Sequence, residues 1–337
     1  KVEVVFADHQ NKPDVGSSVT RQWIDRDGVD VIVDTPNSAV ALAVNEVVRG
    51  SRAAFLNSGA ASSDLTGPKC SPNTVHWTYD NWALANGTAR AIVQAGGKNW
   101  YFLTADYAFG HDLEKQVSIV VENSGGKVLG AVRHPLNTAD FSSFLLQAQS
   151  SGAQIIGLAN AGGDTINSIK QAAEFGIVRG GQKLAGLLIF LTDIHALSLD
   201  VAQGLQFTEA FYWDLNDSTR AWSERFAQRH GGKKPTMVHA GVYGAVLHYL
   251  KAVEALKSDD GAKVVAKMKE IPTEDPVFGK GQVRADGRHV HPMYLFEAKA
   301  PSESKGPWDY YKLIRTIPAE EAFRPLDQGN CPLVKKG

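Results

Sequence analysis

Four short segments rich in small and polar residues each follow a strand-like run, and residues of these types can hold a small polar solute. Small residues let a ligand approach the backbone, and hydroxyl and amide groups then fix its polar atoms. In open α/β sheets such segments lie beyond the carboxyl ends of the strands, where helix N-termini present free N–H groups. The segments are 35–38 (TPNS), 57–62 (NSGAAS), 160–165 (NAGGDT) and 191–193 (LTD).

These polar residues also have a simpler interpretation. Ser38, Ser62 and Asp164 each stand where an N-cap would stand, and a cap contributes about 1 kcal/mol without any ligand. Because four such segments occur on strand-helix units of similar pattern, we favour a shared cleft, with Asp164 capping the helix behind it.

Motifs for other kinds of site are absent from the sequence. No G-x-G-x-x-G follows a strand, and neither G-x-x-x-x-G-K-[ST] nor G-x-S-x-G occurs. His289 and His291 stand on one face of a strand, a spacing that a metal site can use, but beside Arg288 and Pro292 we interpret them as part of a surface strand. The sequence therefore predicts no catalytic centre, metal site or cofactor.

Composition limits the classes of partner. The chain has 337 residues, enough for two lobes with their own cores, and a formal net charge of −1, which supplies no general attraction to nucleic acid. No apolar run approaches the ~20 residues of a membrane span. The two cysteines, Cys70 and Cys331, are far apart; from the residues alone they are either one long-range disulfide or two free thiols.

Strand-like and helix-like stretches alternate as far as residue 235, which predicts α/β units with parallel strands. The segment 109–126 is amphipathic and predicts a helix. Segments 27–44 and 151–169 share one pattern of glycine, strand, polar turn and helix, so we expect two related lobes. The strand candidates are 2–8, 29–35, 53–59, 99–106, 153–160 and 183–193.

In this order the segments resemble the periplasmic solute-binding proteins of ABC importers. The similarity is to the type I fold of the leucine/isoleucine/valine-binding class, and within it to a branch linked to aromatic acids and other small carboxylates. It covers nearly the whole chain. The segments that carry it include VIVDTPNSAVALAV, AAFLNSGAASSDLTG, WTYDNWALANGTARAI, FLTADYAFGHDLEKQV, the long run from DFSSF to AAEFG, AFYWDLNDSTRAWSERF and PTMVHAGVYGAVLHYLKAV.

The resemblance implies two Rossmann-like lobes with parallel sheets, joined by a hinge of several crossings. Lobe 1 would comprise residues 1–81 and 214–287, and lobe 2 residues 82–213 and 288–337, with a C-terminal tail that returns toward the hinge. Lys1 aligns with the family's second strand, so we expect the first strand-helix unit, and one wall of the site, to be missing. The resemblance also favours a disulfide between Cys70 and Cys331.

The family's ligand contacts map onto this sequence position by position. The first carboxylate-binding loop falls at 37–38 and the second, which works through backbone amides, at 58–61. Ala61 stands where amino-acid binders have threonine, which favours another ligand. Asp193 takes the place of the acid that holds a ligand ammonium. The expected ligand-binding residues are Asn37, Ser38, Ser58, Gly59, Ala60, Ala61, Tyr107, Phe109, Asn160, Gly162, Asp193 and His239.

The function implied is that of an extracytoplasmic binding subunit, not an enzyme. It would capture a small carboxylate by lobe closure, with an aromatic acid preferred over a branched-chain amino acid or amide. Its partner would be the importer's membrane permease, and we expect a monomer in the periplasm, with no signal peptide visible in the sequence. The alternatives are a small-molecule enzyme using Asp193 and His239, or a sensory lobe of the same fold.

Overall fold

Two parallel sheets organise the computed structural model, which describes residues 2–335. The first sheet has the strand order β1-β2-β3, and the second has the order β5-β4-β6-β7. The strands of the first sheet are β1 (Val31–Val33), β2 (Ala54–Asn57) and β3 (Thr74–His76). Those of the second are β4 (Asn99–Ala105), β5 (Lys127–His134), β6 (Ile155–Ala159) and β7 (Lys183–Gly186). All neighbours within these two sheets run parallel, as the sequence predicts.

Helices cover the parallel sheets, which explains the unbroken apolar strands. Every residue of β2 and of β6 is buried, as expected for strands that are covered on both faces. Gly157 in β6 allows this packing, because a Cβ there would lie 2.8 Å from the ring of Phe102. The helices are α1 (Pro13–Asp25), α2 (Ser38–Val48), α3 (Asn81–Leu84), α4 (Arg90–Gln94), α5 (Ala108–Asn123), α6 (Ser142–Ser150), α7 (Gly163–Glu174), α8 (Leu191–Leu197), α9 (Leu199–Ala202), α10 (Asp217–Arg229), α11 (Met237–Leu256), α12 (Gly261–Glu270) and α13 (Ala319–Ala322).

Antiparallel strands complete the fold. In the third sheet β12 lies between β8 and β13, and in the fourth β10 lies between β9 and β11. The chain passes between the regions of the two parallel sheets after β3, between β8 and α11, and between β11 and β12. The strands are β8 (Gln206–Glu209), β9 (Thr273–Asp275), β10 (Gly279–Val283), β11 (His289–Val290), β12 (Met293–Ala298) and β13 (Tyr311–Ile317).

The disulfide favoured by the resemblance is present. Cys70 and Cys331 are bonded, with their Cα atoms 5.6 Å apart, and so tie the C-terminal segment to the loop before β3. Within residues 2–335 no helix combines the length and the apolar character that a membrane crossing requires.

Two strand predictions are wrong. Residues 2–8 form no strand, and Val4 and Phe6 are 84% and 94% exposed. The candidate at 183–193 is a strand only to Gly186, and α8 begins at Leu191. The strand cannot continue because a carboxylate oxygen of Asp193 accepts the backbone N–H of Phe190, which fixes a helix start.

The interpretation of the histidine pair as a surface strand is also wrong. His289 and His291 are fully buried. The ring of His289 stacks on Trp77 with centroids 3.8 Å apart, and Nε2 of His291 lies 2.9 Å from the carbonyl oxygen of Thr78. Among the described residues no group of three or more acidic, histidine or cysteine side chains could hold a metal ion. These histidines are packing residues.

Candidate ligand-binding site

A cavity of about 250 Å³ lies between the carboxyl ends of the two parallel sheets. The turns after all seven strands β1 to β7 contribute to it, so the strand ends of both sheets meet at one place. The volume is below the ~300–1,000 Å³ of drug-sized sites, which suits a small metabolite. Its lining consists of Asn11, Pro36, Asn37, Gly59, Tyr79, Ala105, Tyr107, Phe109, Leu136, Asn137, Ala161, Gly162, Gly163, Asp164, Leu188, Phe190 and Val238.

Aromatic rings form much of the cavity wall. Tyr107 and Phe109, at the start of α5, have ring centroids 5.7 Å apart. From the first sheet, Tyr79 meets Phe190 edge-on, with centroids 6.3 Å apart. The Tyr79 hydroxyl donates a 2.6 Å hydrogen bond to the carbonyl oxygen of Gly59, which fixes the ring. The wall can therefore pack against a planar or branched apolar group.

The start of α7 offers backbone donors to the cavity. Gly162 is the N-cap, and its φ of 57° lies in the left-handed region, where glycine is favoured. No side chain of the described residues caps this helix, so the amides of Gly163 and its successors in the first turn keep free N–H groups. A Cβ at Gly162 or Gly163 would meet no atom within 4 Å, which leaves space for a ligand to approach.

Asp164 does not cap α7, contrary to the prediction. It lies within the first turn, and its carboxylate accepts the backbone N–H groups of Thr138 at 2.9 Å and Asn137 at 3.2 Å. Asn137 has a left-handed φ of 60°, so this contact holds the loop after β5 in place. Burial raises the pKa of Asp164, against the lowering effect of these amides.

Asn37, and not Ser38, caps α2. Its Oδ1 accepts the N–H groups of Ala39 at 2.9 Å and Val40 at 3.1 Å. The amide nitrogen Nδ2 of Asn37 donates to no other described residue, and the side chain lines the cavity. Asn37 therefore offers a second donor to a ligand, opposite the start of α7.

Five of the twelve expected ligand-binding residues line the cavity. They come from both sheets. In the sequence, only the resemblance to the family indicated that residues of both sheets belong to one site. They are Asn37, Gly59, Tyr107, Phe109 and Gly162.

The structure places the other seven outside the lining. Ser38, Ala60 and Ala61 are buried. The Ser58 hydroxyl pairs with the hydroxyl of Thr78 at 2.6 Å.

Three polar residues of this group are engaged elsewhere. Asn160 accepts the Thr165 hydroxyl at 2.8 Å behind the turn. Asp193 accepts the Phe190 amide at 2.9 Å, and Nδ1 of His239 pairs with Thr236 at the start of α11.

Several lining residues were missed in the sequence. Tyr79 and Phe190 are not among the expected ligand-binding residues, although each stands in a turn just after a strand of a parallel sheet. Asn137 and Leu136 follow β5, where no small-residue cluster marks the turn. Val238 comes from α11, and only the three-dimensional fold brings it to the cavity.

A larger groove, of about 620 Å³, lies away from the strand ends. Three parts of the chain line it: the segment from Trp82 through Arg90, the end of α5, and the C-terminal residues near Phe323. None of the turns that follow strands β1 to β7 is among its described lining residues, so it lacks the strand-end donors of the smaller cavity. We therefore assign the candidate site to the smaller one.

The chain belongs to the periplasmic binding protein family, whose family model matches residues 1–307. A curated relative, the Leu/Ile/Val-binding protein homolog 6 of Brucella melitensis, is 27% identical over 309 residues, covering 89% of this chain and 78% of the relative. The family works with ABC importers, which places the protein outside the cytoplasmic membrane among substrate-binding proteins that act with membrane permeases.

Solved structures agree with this assignment. A periplasmic binding protein from Burkholderia mallei is 52% identical, with a TM-score of 0.96 over 99% of this chain and 88% of that one. A branched chain amino acid ABC transporter periplasmic ligand-binding protein from Burkholderia xenovorans is 41% identical, with a TM-score of 0.85 over 97% and 87%.

A more distant structure shares the fold alone. It is a solute binding protein from Rhodopseudomonas palustris in complex with 3,4-dihydroxy benzoic acid, 21% identical, with a TM-score of 0.85 over 95% of this chain and 87% of that one.

Proposed function

We propose that the protein captures a small carboxylate in the cavity between its sheets, and that the preferred ligand is an aromatic acid. The observation that carries this proposal is the combination of an aromatic wall with unoccupied donors. Tyr107, Phe109 and Phe190 would contact the ring, and the amides at the start of α7 would meet the carboxylate. Such amides hold an anion without an arginine, each helix end contributing ~0.3–1 kcal/mol or more.

Lobe closure follows from the size of the ligand. A solute of about ten heavy atoms bound near micromolar affinity requires roughly −8 kcal/mol, or ~0.8 kcal/mol per atom. That efficiency requires nearly the whole ligand to be enclosed. We propose that lobe 1 (1–81 and 214–287) and lobe 2 (82–213 and 288–337) close around the ligand by hinge motion. The permease would then recognise the closed form of the monomer.

A branched-chain amino acid is the second candidate. The carboxylates of Asp164 and Asp34 lie in and beside the cavity, and no lysine or arginine is among its described lining residues, which suits a ligand ammonium. The Burkholderia xenovorans and Brucella proteins are named for branched-chain amino acids, which favours the same ligand class. For an enzyme the sequence offered Asp193 and His239, but neither lines the cavity, so we assign binding rather than catalysis.

The test is to identify what the protein binds. Mass spectrometry of ligand released from the purified protein, followed by thermal-shift assays with aromatic acids and branched-chain amino acids, distinguishes the two candidates. A ligand at 100 times its Kd stabilises the folded protein by about 2.7 kcal/mol, which such an assay detects. Shifts with aromatic acids alone support the proposal; shifts with amino acids alone favour the second candidate.

A further inference from the structure

Asp34 occupies backbone amides that the resemblance assigns to the ligand's carboxylate. Its Oδ1 accepts the N–H of Gly59 at 2.6 Å and the N–H of Ser58 at 3.3 Å. Because these donors already hold one anion, a second carboxylate at the same place would meet both occupied N–H groups and a like charge. The loop at 58–59 is therefore filled by the chain itself.

The contact depends on the register of the first sheet. Val33 at the end of β1 pairs with Leu56 in β2, so the residues after both strands emerge side by side. Asp34 adopts a left-handed φ of 52°, a conformation that aspartate and asparagine tolerate better than most residues. A Cβ at Gly59 would lie 3.1 and 3.2 Å from the two carboxylate oxygens, so the carboxylate packs directly on this glycine.

This carboxylate borders the cavity without a compensating cation. Asp34 is not itself among the lining residues, but Gly59, which its carboxylate contacts, lines the cavity, as do Pro36 and Asn37, which follow it in the chain. Asp34 is not part of any ion pair within the described chain, and its side chain is only partly exposed. Burial raises its pKa, and the amides it accepts act in the opposite direction, with a smaller contribution from His9.

We propose that Asp34 is a specificity-determining residue that selects ligands with a hydrogen-bond donor, a phenolic hydroxyl or an ammonium, at the Gly59 end of the cavity. The inference rests on the proposed function, since it orients the ligand within that site. The ligand's own carboxylate then points away from Asp34, toward the free amides of α7. A ligand with a carboxylate and no donor elsewhere lacks a partner for Asp34 and binds more weakly.

Two substitutions separate charge from structure. Asp34→Asn keeps an oxygen that accepts both amides, and it tolerates the left-handed backbone, but it removes the charge. Asp34→Gly also suits the backbone and leaves the two amides free for a ligand carboxylate. Asp64→Asn is the matched control, because Asp64 is likewise a partly buried carboxylate with a pKa raised by burial, but neither Asp64 nor the residues beside it in the chain line the cavity.

The experiment measures Kd by calorimetry for two ligand pairs that differ only in the donor: 4-hydroxybenzoate with benzoate, and L-leucine with 4-methylpentanoate. The pair in which the wild type shows the larger preference identifies the donor as hydroxyl or ammonium. We expect a wild-type preference of about tenfold or more for the donor-bearing member, the size expected for a hydrogen bond to a charged group.

In Asp34→Asn this preference should fall to about threefold or less, with the melting temperature changed by no more than ~2 °C. Asp34→Gly should bind the donor-less carboxylate more tightly than the wild type does, and Asp64→Asn should keep the wild-type preference. If the wild type binds a pair and Asp34→Asn retains the full preference, this inference is overturned while the proposed function stands. If the wild type binds none of the four compounds, the proposed function fails, and the inference fails with it.

Discussion

The guanidinium of Arg288 and the carboxylate of Asp80 form an ion pair at 3.4 Å, and both side chains are buried. Arg288 also donates to the carbonyl oxygens of Tyr79 at 3.1 Å and His289 at 3.0 Å, and it lies over the ring of Phe323. Asp80 follows β3, where the chain leaves the first sheet, and Tyr79 lines the cavity. The pair therefore braces one connection between the two sheet regions, directly behind the candidate site.

Removing Arg288 should destabilise the protein strongly. Arg288→Met leaves the buried carboxylate of Asp80 without its partner, a change that costs ~3–5 kcal/mol. Burial lowers the pKa of Arg288 to about 10, and the carboxylate of Asp80 acts in the opposite direction. Chemical denaturation of the ligand-free protein measures the loss. Arg288→Lys, which keeps the charge but not the planar fork of donors, should lose less; equal stability of Arg288→Met and the wild type would contradict the prediction.

Phe109 should contribute directly to ligand affinity. Phe109→Ala removes one aromatic wall of the cavity, and we expect weaker binding by at least ~1 kcal/mol. Phe109→Leu keeps an apolar side chain and should lose less. Calorimetry with the ligand that mass spectrometry identifies gives the affinities. Because Phe109 is also packed in the core, melting curves without ligand show whether each variant is folded. Unchanged affinity of a folded Phe109→Ala would reject this role.

Asp193 should make stability depend on pH. Burial raises its pKa from 3.8 to about 7, against the lowering effect of the Phe190 amide. Because the folded state then binds more protons than the unfolded state, this contribution is fully present below about pH 4 and is lost as the pH rises toward 7. At ~1.36 kcal/mol per pKa unit, the loss is about 4 kcal/mol at most.

Asp193→Asn keeps the acceptor for the Phe190 amide but cannot ionise. Its free energy of unfolding, measured by denaturation between pH 4 and 8, should therefore fall less steeply with pH than that of the wild type. Since Asp193 does not line the cavity, we also expect the ligand affinity to stay within about threefold. A parallel pH dependence in both proteins would contradict the first expectation, and a large loss of amino-acid affinity would restore the ammonium-binding role inferred from the resemblance.

Sequence patterns predicted the elements better than the contacts between them. The parallel strands and α5 follow from local apolar patterns, and the five expected residues that line the cavity lie in turns that such patterns locate. The prediction of a strand at 2–8 is wrong because strand pairing depends on distant parts of the chain and not on the local sequence. The contact of Asp34 with Gly59 was likewise invisible, since it joins residues 25 positions apart through the register of β1 and β2.

The disulfide should stabilise the folded chain, and its removal is the simplest perturbation of the C-terminal segment. Cys70 and Cys331 are separated by 261 positions, and both are buried. Replacing both by serine, which avoids a free thiol, should lower the free energy of unfolding by ~2–5 kcal/mol, mainly because the unfolded chain gains freedom. Hydrogen bonds such as that from Arg284 to the carbonyl oxygen of Arg324, at 2.8 Å, should still hold the segment in place.

Denaturation in oxidising buffer, with and without a reductant, measures this effect. The wild type should lose stability on reduction and then match the double serine variant, whereas the variant should not respond to the reductant. Alkylation before and after reduction, read by mass spectrometry, gives an independent count of thiols. Two thiols modified without reduction, in protein exported to an oxidising compartment, would show that the bond does not form there.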